Sequence, residues 1–214
     1  MMPSLSELAP PSNPIIADRT MAETDTALSP DDIRRLDRAV AQPISLIGMM
    51  GVGKSTVGRR LAAMLDRPFY DVDSEIEEAA QMSIAEIFEE FGEPYFRDGE
   101  RRVIARLTSE RHSVIATGGG AFSQADTRAD LLSRTVPVWI DCPIDTLVER
   151  TARRATRPLL LKGDPKDILT DLYEKRAGDY ALAPVHVASR SGSHNETAHR
   201  ILKGIDAWLN RTKG

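Results

Sequence analysis

The stretch GMMGVGKST, residues 48–56, constrains the fold of this chain more than any other. It fits the pattern G-x-x-x-x-G-K-[ST] through Gly48, Gly53, Lys54 and Ser55. In such a loop, glycines let successive backbone N–H groups turn towards a polyphosphate, and the following helix adds the positive end of its dipole. An apolar run, ISLIG, precedes the loop, and an amphipathic pattern, KSTVGRRLAAMLD, follows it. Together, this strand, loop and helix predict a nucleotide-binding site.

The loop pattern also predicts roles for individual side chains. Lys54 is placed to bridge the transferred phosphate, and the Ser55 hydroxyl is the expected ligand of Mg²⁺. The residues expected to bind the nucleotide are Gly51, Val52, Gly53, Lys54, Ser55 and Thr56. GTP switches, ATPases and small-molecule kinases all use loops of this kind, so the loop does not identify the second substrate.

Short apolar runs alternate with amphipathic segments from Ile44 onwards, which is typical of an α/β domain with a mainly parallel sheet. The five strand candidates are ISLIG, PFYDVD, SVIATG, VPVWIDC and VHVAS. Ser-x-x-Glu pairs at Ser74/Glu77 and Ser83/Glu86 predict capping boxes at the starts of two helices. We therefore expect a five-stranded parallel sheet flanked by helices.

The first part of the chain differs from this α/β pattern. We expect residues 1–41 to form an N-terminal extension and residues 42–214 to form the domain. Up to about residue 28, the extension is rich in Pro, Ser, Thr and acidic residues, which predicts a mobile segment. After it, Ser29 can cap a short helix that has Pro30 in its first turn.

Charge and composition exclude several classes of partner. The formal net charge of −4 provides no basic field that would attract nucleic acid. No apolar run approaches the roughly 18 to 20 residues that a membrane span needs. The single cysteine, Cys142, excludes an internal disulfide and fits a reducing compartment. We therefore expect a cytoplasmic protein that binds neither nucleic acid nor membranes.

Two aspartates follow the second predicted strand, at the sheet edge where ligands of α/β proteins gather. Alternation along the strand predicts that Asp71 and Asp73 point to the same side. One carboxylate could then face the water shell of Mg²⁺ and the other an acceptor hydroxyl. The alternative is that one aspartate caps the next helix while the other is merely solvated.

Three further motifs could form an acceptor site. Arg97, in FRDGE at the expected start of a helix, could hold a carboxylate bidentately, although a surface ion pair with Glu93 or Glu100 is the alternative. Arg176 and Tyr180 lie one helical turn apart, so Arg176 could complete a clamp. Three glycines follow the third strand and predict close approach to the backbone, unless they form a simple flexible turn. They are Gly118, Gly119 and Gly120.

The segment TARRATRPLLLKGDP combines four basic residues with glycine, proline and threonine between two helical patterns. In a phosphoryl-transfer enzyme, this composition suits a lid that closes a cationic side chain over the phosphates. We expect the lid at about residues 153–165 and assign the cationic role to Arg157. A solvated basic loop is the alternative.

With these motifs in this order, the chain resembles the shikimate kinase family, a group of small P-loop kinases related in fold to adenylate kinase. The resemblance runs from about Ile44 to Ala188 and rests on GMMGVGKST, DVD, FRDGE, GGG, RPLL and EKRAGDY. It implies a nucleoside-monophosphate-kinase-like fold with a lid. Separately from the resemblance, we expect the protein to be a monomer. It also implies transfer of phosphate from ATP, with Mg²⁺, to the 3-hydroxyl of shikimate, in the pathway to the aromatic amino acids.

The resemblance also implies roles for individual residues. In that family, the residue matching Asp73 holds the acceptor hydroxyls, and the one matching Asp71 lies near the metal. The catalytic set is then Lys54, Asp73 and Arg157. The substrate-binding set is Asp73, Arg97, Gly118, Gly119, Gly120 and Arg176. Arg150 matches an arginine that stacks beside adenine, whereas SRSGSH, at the expected adenine pocket, offers no single residue.

One departure from the family pattern lies beside the clamp. Many members have proline and a large apolar residue between the second arginine and the tyrosine, where this chain has Ala177, Gly178 and Asp179. Gly178 could loosen the helix and shift Arg176. Two other functions remain open: a gluconate kinase of similar fold, and a non-catalytic nucleotide-binding regulator.

Overall fold

The computed structural model describes residues 28–152, 163–189 and 193–212. Its centre is a five-stranded sheet in the order β2-β3-β1-β4-β5, and every neighbouring pair is parallel. The strands are β1 (Ile44–Ile47), β2 (Phe69–Asp71), β3 (Val114–Ala116), β4 (Val136–Asp141) and β5 (Val185–Ala188). All five predicted strands are therefore confirmed.

Helices cover both faces of the sheet. They are α1 (Pro30–Ala39), α2 (Lys54–Leu65), α3 (Val72–Ala80), α4 (Ile84–Leu107), α5 (Ala125–Arg134), α6 (Ile144–Ala152), α7 (Pro165–Tyr180) and α8 (His194–Thr212), with a short 3₁₀ helix at Ala121–Ser123. Among the described helices, none combines the length and the apolar character needed to cross a membrane.

The register of the sheet places the predicted motifs at one edge. Leu46 of β1 pairs with Ala116 of β3, and Ala116 pairs with Asp71 of β2 on its other side. Because the strands are parallel, the phosphate loop, the glycine triplet and the aspartate pair all emerge at the carboxyl ends of adjacent strands.

The core explains why the strands read as continuous apolar runs. All four residues of β1 are buried, as are all three of β3, because helices cover both faces of a parallel sheet. The α2 side chains Val57, Leu61 and Leu65 join the same cluster. This packing fixes the start of α2, and with it Lys54 and Ser55, against the end of β1.

The starts of the helices test the capping predictions. The capping boxes at Ser29 and at Ser83/Glu86 are present. The box predicted at Ser74/Glu77 is wrong, because α3 begins at Val72 and its N-cap is Asp71, three residues before Ser74. The Asp71 side chain caps this helix by accepting a 3.2 Å hydrogen bond from the Asp73 N–H.

The predicted reason for pairing Asp71 with Asp73 is corrected by the same observation. β2 ends at Asp71, so Asp73 is the second residue of a helix and strand alternation does not apply to it. The two carboxylates are neighbours because a strand turns directly into a helix between them. The alternative reading of Asp71 as a helix cap holds, and its second carboxylate oxygen stays available to a ligand.

Helix α4 is kinked, and the kink lies near a predicted site residue. Gly92 adopts φ 77° and ψ 176°, which interrupts the helix, and Pro94 follows it within the first turn after the kink. Arg97 therefore lies at the start of a helical segment, as the sequence predicted.

Candidate active site

The phosphate loop has the backbone geometry that the sequence pattern predicts. Gly53 caps α2 with φ 99°, a left-handed conformation that glycine adopts without strain. The Lys54 ammonium group donates to the carbonyls of Gly48 and Met49, at 2.8 and 3.0 Å. The lysine thus lies over the loop, beside the amides that open α2, where its charge would meet a polyphosphate.

Ser55 and Asp71 provide a donor set that fits Mg²⁺. Ser55 is the second residue of α2 and is half-buried, and Asp71 ends β2 two strands away in the sheet. Protein sites for Mg²⁺ at nucleotides commonly use one or two such oxygen ligands and complete the shell with phosphates and water. The described residues contain no cluster of three or more His, Cys, Asp or Glu that would hold a metal without a nucleotide.

The first and last glycines of the triplet are approached closely by charged side chains. A Cβ atom at Gly118 would overlap Glu100 Oε1 and lie 3.2 Å from Asp73 Oδ1. A Cβ atom at Gly120 would lie 2.7 Å from an Arg97 guanidinium nitrogen. Substitution at either position would therefore displace the charged groups, which explains the glycines better than a simple flexible turn does.

The middle glycine joins the triplet to the phosphate loop and to α7. A Cβ atom at Gly119 would lie 3.3 Å from the Met50 N–H nitrogen and 3.7 Å from Arg176 Nη1. The Gly119 carbonyl accepts hydrogen bonds from Arg176 Nη1, at 3.1 Å, and from the Tyr180 hydroxyl. The structure therefore brings the triplet together with Asp73, Arg97 and Arg176 beside the phosphate loop.

Arg97 makes both of the ion pairs that the sequence offered as alternatives to a ligand. Its guanidinium donates to Glu100 Oε2 at 2.7 Å and to Glu93 Oε1 at 3.0 Å. Burial by itself lowers the pKa of Arg97, but pairing with Glu100 and Glu93 outweighs it and leaves the pKa raised. The Glu93 side chain is 61% exposed, so a ligand carboxylate could replace it at small cost, because exposed ion pairs contribute about 0–1 kcal/mol.

Glu100 is a site residue that the sequence reasoning did not assign. Its side chain is 1% exposed, and within the described residues its Oε1 has no hydrogen-bond partner. Burial raises the pKa of Glu100, and the pairing with Arg97 only partly opposes the shift. The carboxylate holds the arginine from the protein side. An Arg-x-x-Glu spacing on a helix was the available signal, since residues three apart share a face.

We expect Glu100→Gln to change how stability depends on pH. The folded-state pKa of Glu100 lies above the unfolded value of 4.5, so wild type loses free energy of unfolding as the pH rises from 4.5 through the folded pKa. The variant cannot titrate there. Its stability relative to wild type should therefore increase with pH over that interval, measured by urea unfolding between pH 4.5 and 7.5. Glu93→Gln is the control, and a flat difference for Glu100→Gln would contradict the shift.

Gly178 does not break the helix that carries Arg176. Helix α7 runs without interruption to Tyr180, and no heavy atom lies within 4 Å of a Cβ position at Gly178. Asp179 forms an ion pair with Arg128 of α5 at 3.1 Å. This pair ties the last turn of α7 to the neighbouring helix, so Arg176 is held at the triplet despite the departure from the family pattern.

Arg150, on α6, joins the phosphate loop to the residue that follows β5. Its guanidinium donates to the Val52 carbonyl at 3.2 Å and to the Ser189 hydroxyl at 3.3 Å. Arg157 and residues 153–162 of the predicted lid lie outside the described residues. The described part resumes at residue 163, and Asp164 caps α7.

A phosphate loop and a charged acceptor cradle at one edge of a parallel sheet define a P-loop kinase that acts on a small molecule. The sequence profile described as shikimate kinase matches residues 50–206. The chain is 53% identical over 192 residues to a shikimate kinase of Novosphingobium aromaticivorans, covering 87% of this chain and 100% of that protein. A shikimate kinase of Zymomonas mobilis is 51% identical, covering 76% of this chain and 92% of that protein.

A solved structure agrees with these relatives. The shikimate kinase from Acinetobacter baumannii in complex with shikimate superposes with a TM-score of 0.76 at 40% identity, covering 78% of this chain and 94% of that chain. The chain belongs to the shikimate kinase family.

Proposed function

We infer that this chain transfers the γ-phosphate of ATP to the 3-hydroxyl of shikimate, giving shikimate 3-phosphate and ADP. The observation that carries the inference is the triplet, whose three glycines are lined by Asp73, Arg97 and Arg176 next to the phosphate loop. A carboxylated ring with hydroxyl groups matches a cradle that has two arginines at one side and an aspartate at the other.

Phosphoryl transfer mainly requires alignment and charge compensation. We propose that Lys54 and the loop amides hold the phosphates, while Ser55 and a water-bridged Asp71 hold Mg²⁺. Bound there, the ion would neutralise charge on the phosphate oxygens. Asp73 orients the 3-hydroxyl and accepts its proton as the oxygen attacks the γ-phosphorus and the bond to ADP breaks. Arg157 would complete the charge shell, and Arg150 would lie beside adenine.

The triplet backbone supports a carboxylate site. Gly118 O accepts from Ala121 N at 3.3 Å, and Gly120 O accepts from Ser123 N at 3.2 Å. The Gly119 carbonyl is engaged by α7. Within the described residues, none of these bonds uses a triplet N–H group, so the N–H groups can donate to an anion held by Arg97 and Arg176. A monomeric state and a cytoplasmic location stay predictions.

A coupled ADP-release assay tests the inference with the full chain, ATP and Mg²⁺. Shikimate should support turnover well above the rate without an acceptor, and gluconate should not. Turnover with gluconate alone would indicate the other small-molecule kinase. ADP release that no acceptor stimulates would favour a nucleotide-binding protein without kinase activity.

Arg97→Lys should raise the KM for shikimate by about tenfold or more, because lysine keeps the charge and loses the bidentate fork. The KM for ATP should change by less than about twofold, since the arginine faces the triplet rather than the phosphate loop. Steady-state kinetics with each substrate varied in turn provide the measurement.

Arg101→Lys is the matched control for Arg97→Lys. Arg101 lies one turn further along α4 and forms an exposed ion pair with Asp98 at 2.8 Å. Its replacement should leave both KM values unchanged. An unchanged shikimate KM in Arg97→Lys would remove this residue from the clamp.

A further inference from the structure

Tyr180 lies between the donor and acceptor halves of the site. Its side chain is fully buried, and its ring packs against Trp139 with centroids 5.9 Å apart. The hydroxyl donates to the Gly119 carbonyl and lies 4.0 Å from the sulfur of Met49 in the phosphate loop. One phenol therefore contacts both the glycine triplet and the loop that faces the nucleotide.

The Gly119 carbonyl accepts hydrogen bonds from two donors, and the proposed function requires one of these donors to bind the acceptor carboxylate instead. Arg176 Nη1 donates to this carbonyl at 3.1 Å, but a clamp on the acceptor carboxylate requires the same guanidinium. When Arg176 turns to the carboxylate, the Tyr180 hydroxyl is the donor that still holds the carbonyl. Its buried ring cannot follow the substrate, so its position is the same with either arrangement of Arg176.

The direction of the carbonyl fixes the direction of an N–H group. The described residues contain no cis peptide bond, so the Gly119 carbonyl and the Gly120 N–H point to opposite sides of one planar peptide. Three consecutive glycines restrict rotation of that peptide very little. A hydrogen bond to the carbonyl on the α7 side therefore keeps the Gly120 N–H directed towards the Arg97 side.

We propose that Tyr180 is a positioning residue for phosphoryl transfer. Its hydroxyl keeps the triplet amides directed at the acceptor carboxylate and at a fixed distance from the phosphate loop. The proposal rests on the proposed function. Burial raises the pKa of Tyr180 to about 12, so the hydroxyl remains a donor at neutral pH.

The Arg128 side chain supports the same arrangement from a second direction. Its Nη1 donates to the Phe122 carbonyl at 3.0 Å, just beyond the triplet, and pairs with Asp179 at 3.1 Å. The last turn of α7 is thus tied to the segment after the glycines independently of Tyr180. Loss of the Tyr180 hydroxyl should therefore free the Gly119 peptide without releasing the helix.

Tyr180→Phe tests the proposal, because it keeps the buried ring and removes only the hydroxyl. Tyr173→Phe is the matched control, since Tyr173 lies on the same helix and its hydroxyl contacts Asp141 Oδ2 at 3.4 Å. Tyr180→Phe should raise the shikimate KM about tenfold, the loss expected for a hydrogen bond in the site, and change the ATP KM less than about twofold. Tyr173→Phe should change neither by more than about twofold.

A second acceptor separates positioning from general damage to the fold. In the alcohol formed by reducing the shikimate carboxylate to a hydroxymethyl group, the triplet amides have no carboxylate to meet. The ratio of wild-type to Tyr180→Phe kcat/KM should therefore be about tenfold with shikimate and close to one with this alcohol. Equal losses with both acceptors, or a parallel rise in the ATP KM, would show a structural role and overturn the proposal.

The wild-type measurement distinguishes the two levels of inference. If the wild-type protein turns over shikimate and Tyr180→Phe has the same shikimate KM as the wild type, only the positioning role of Tyr180 is overturned. If the wild-type protein does not turn over shikimate, both the proposed function and the positioning role of Tyr180 are overturned.

Discussion

Asp73→Asn is expected to lower kcat with shikimate by about 10²- to 10⁴-fold, the usual range for loss of a positioned proton acceptor. Asparagine has nearly the same shape as aspartate, but it cannot take the proton of the attacking hydroxyl. Asp73 Oδ1 lies beside Gly118, whereas the phosphate loop is built from other elements. The KM for ATP should therefore stay within about twofold of wild type.

The fold should tolerate Asp73→Asn. Asp73 is exposed at the second position of α3, so the substitution leaves the core unchanged. It removes a favourable interaction with the helix dipole, which is typically about 0.3–1 kcal/mol. Thermal unfolding and ATP binding should then be close to wild type while turnover falls.

Asp31→Asn is the matched control for Asp73→Asn. Asp31 occupies the same position of α1, is exposed, and lies on an element that contributes no residue to the candidate site. It should lose a similar helix-dipole interaction and keep full turnover. Near-normal turnover in Asp73→Asn would rule out the proton-acceptor role and leave the aspartate as an ordinary helix residue.

Local patterns were sufficient to predict the strands and the phosphate loop. A parallel strand covered on both faces must be apolar throughout, so ISLIG and VPVWIDC indicate strands without knowledge of their neighbours. The loop pattern specifies its own helix start, because Gly53 supplies a backbone conformation that other residues rarely adopt.

Contacts between distant segments were less predictable. Ser74/Glu77 fits a capping box locally, but Asp71 starts the helix earlier because it lies at the end of a strand. Burial of Glu100 depends on the triplet folding against α4, and no local feature of the sequence states it. The shared carbonyl of Gly119 joins residues about 60 apart in sequence, and a single sequence does not reveal such pairing.

For the N-terminal helix, too, the local structure was predictable from the sequence and the distant contact was not. Ser29 and Pro30 predicted α1 correctly, because capping is a local property. The partner that receives α1 was not predicted, since Arg67 reads as an ordinary basic residue after α2. In the fold its side chain is 2% exposed and paired with Asp37 at 2.6 Å.

Arg67 holds the end of α1 through several hydrogen bonds. Its Nη2 donates to the carbonyls of Asp37 and Val40, at 2.9 and 2.6 Å, and its Nη1 donates to the Gln42 carbonyl at 3.2 Å. These are carbonyls at and just beyond the carboxyl end of a helix, which lack helical partners and favour a cation. Leu36 and Val40 extend the contact into the main core.

Arg67→Met is expected to lower the free energy of unfolding by about 3 kcal/mol. Removing one partner of a buried ion pair typically costs about 3–5 kcal/mol, and partial exposure of Asp37 places this case at the lower end. Methionine keeps most of the apolar stem, so the loss reports the unsatisfied carbonyls and carboxylate. Urea unfolding measures the change, and amide hydrogen exchange should show faster exchange in α1.

Arg35→Met separates this effect from loss of any arginine at the α1 interface. Arg35 is half exposed and pairs with Asp206 of α8 at 3.1 Å, so its loss should cost at most about 1 kcal/mol. If Arg67→Met lowers the free energy of unfolding by an equally small amount, α1 is attached only weakly, in keeping with the predicted boundary at residue 41. The expected larger cost would instead make α1 part of the folding unit that supports α2, and through α2 the positions of Lys54 and Ser55.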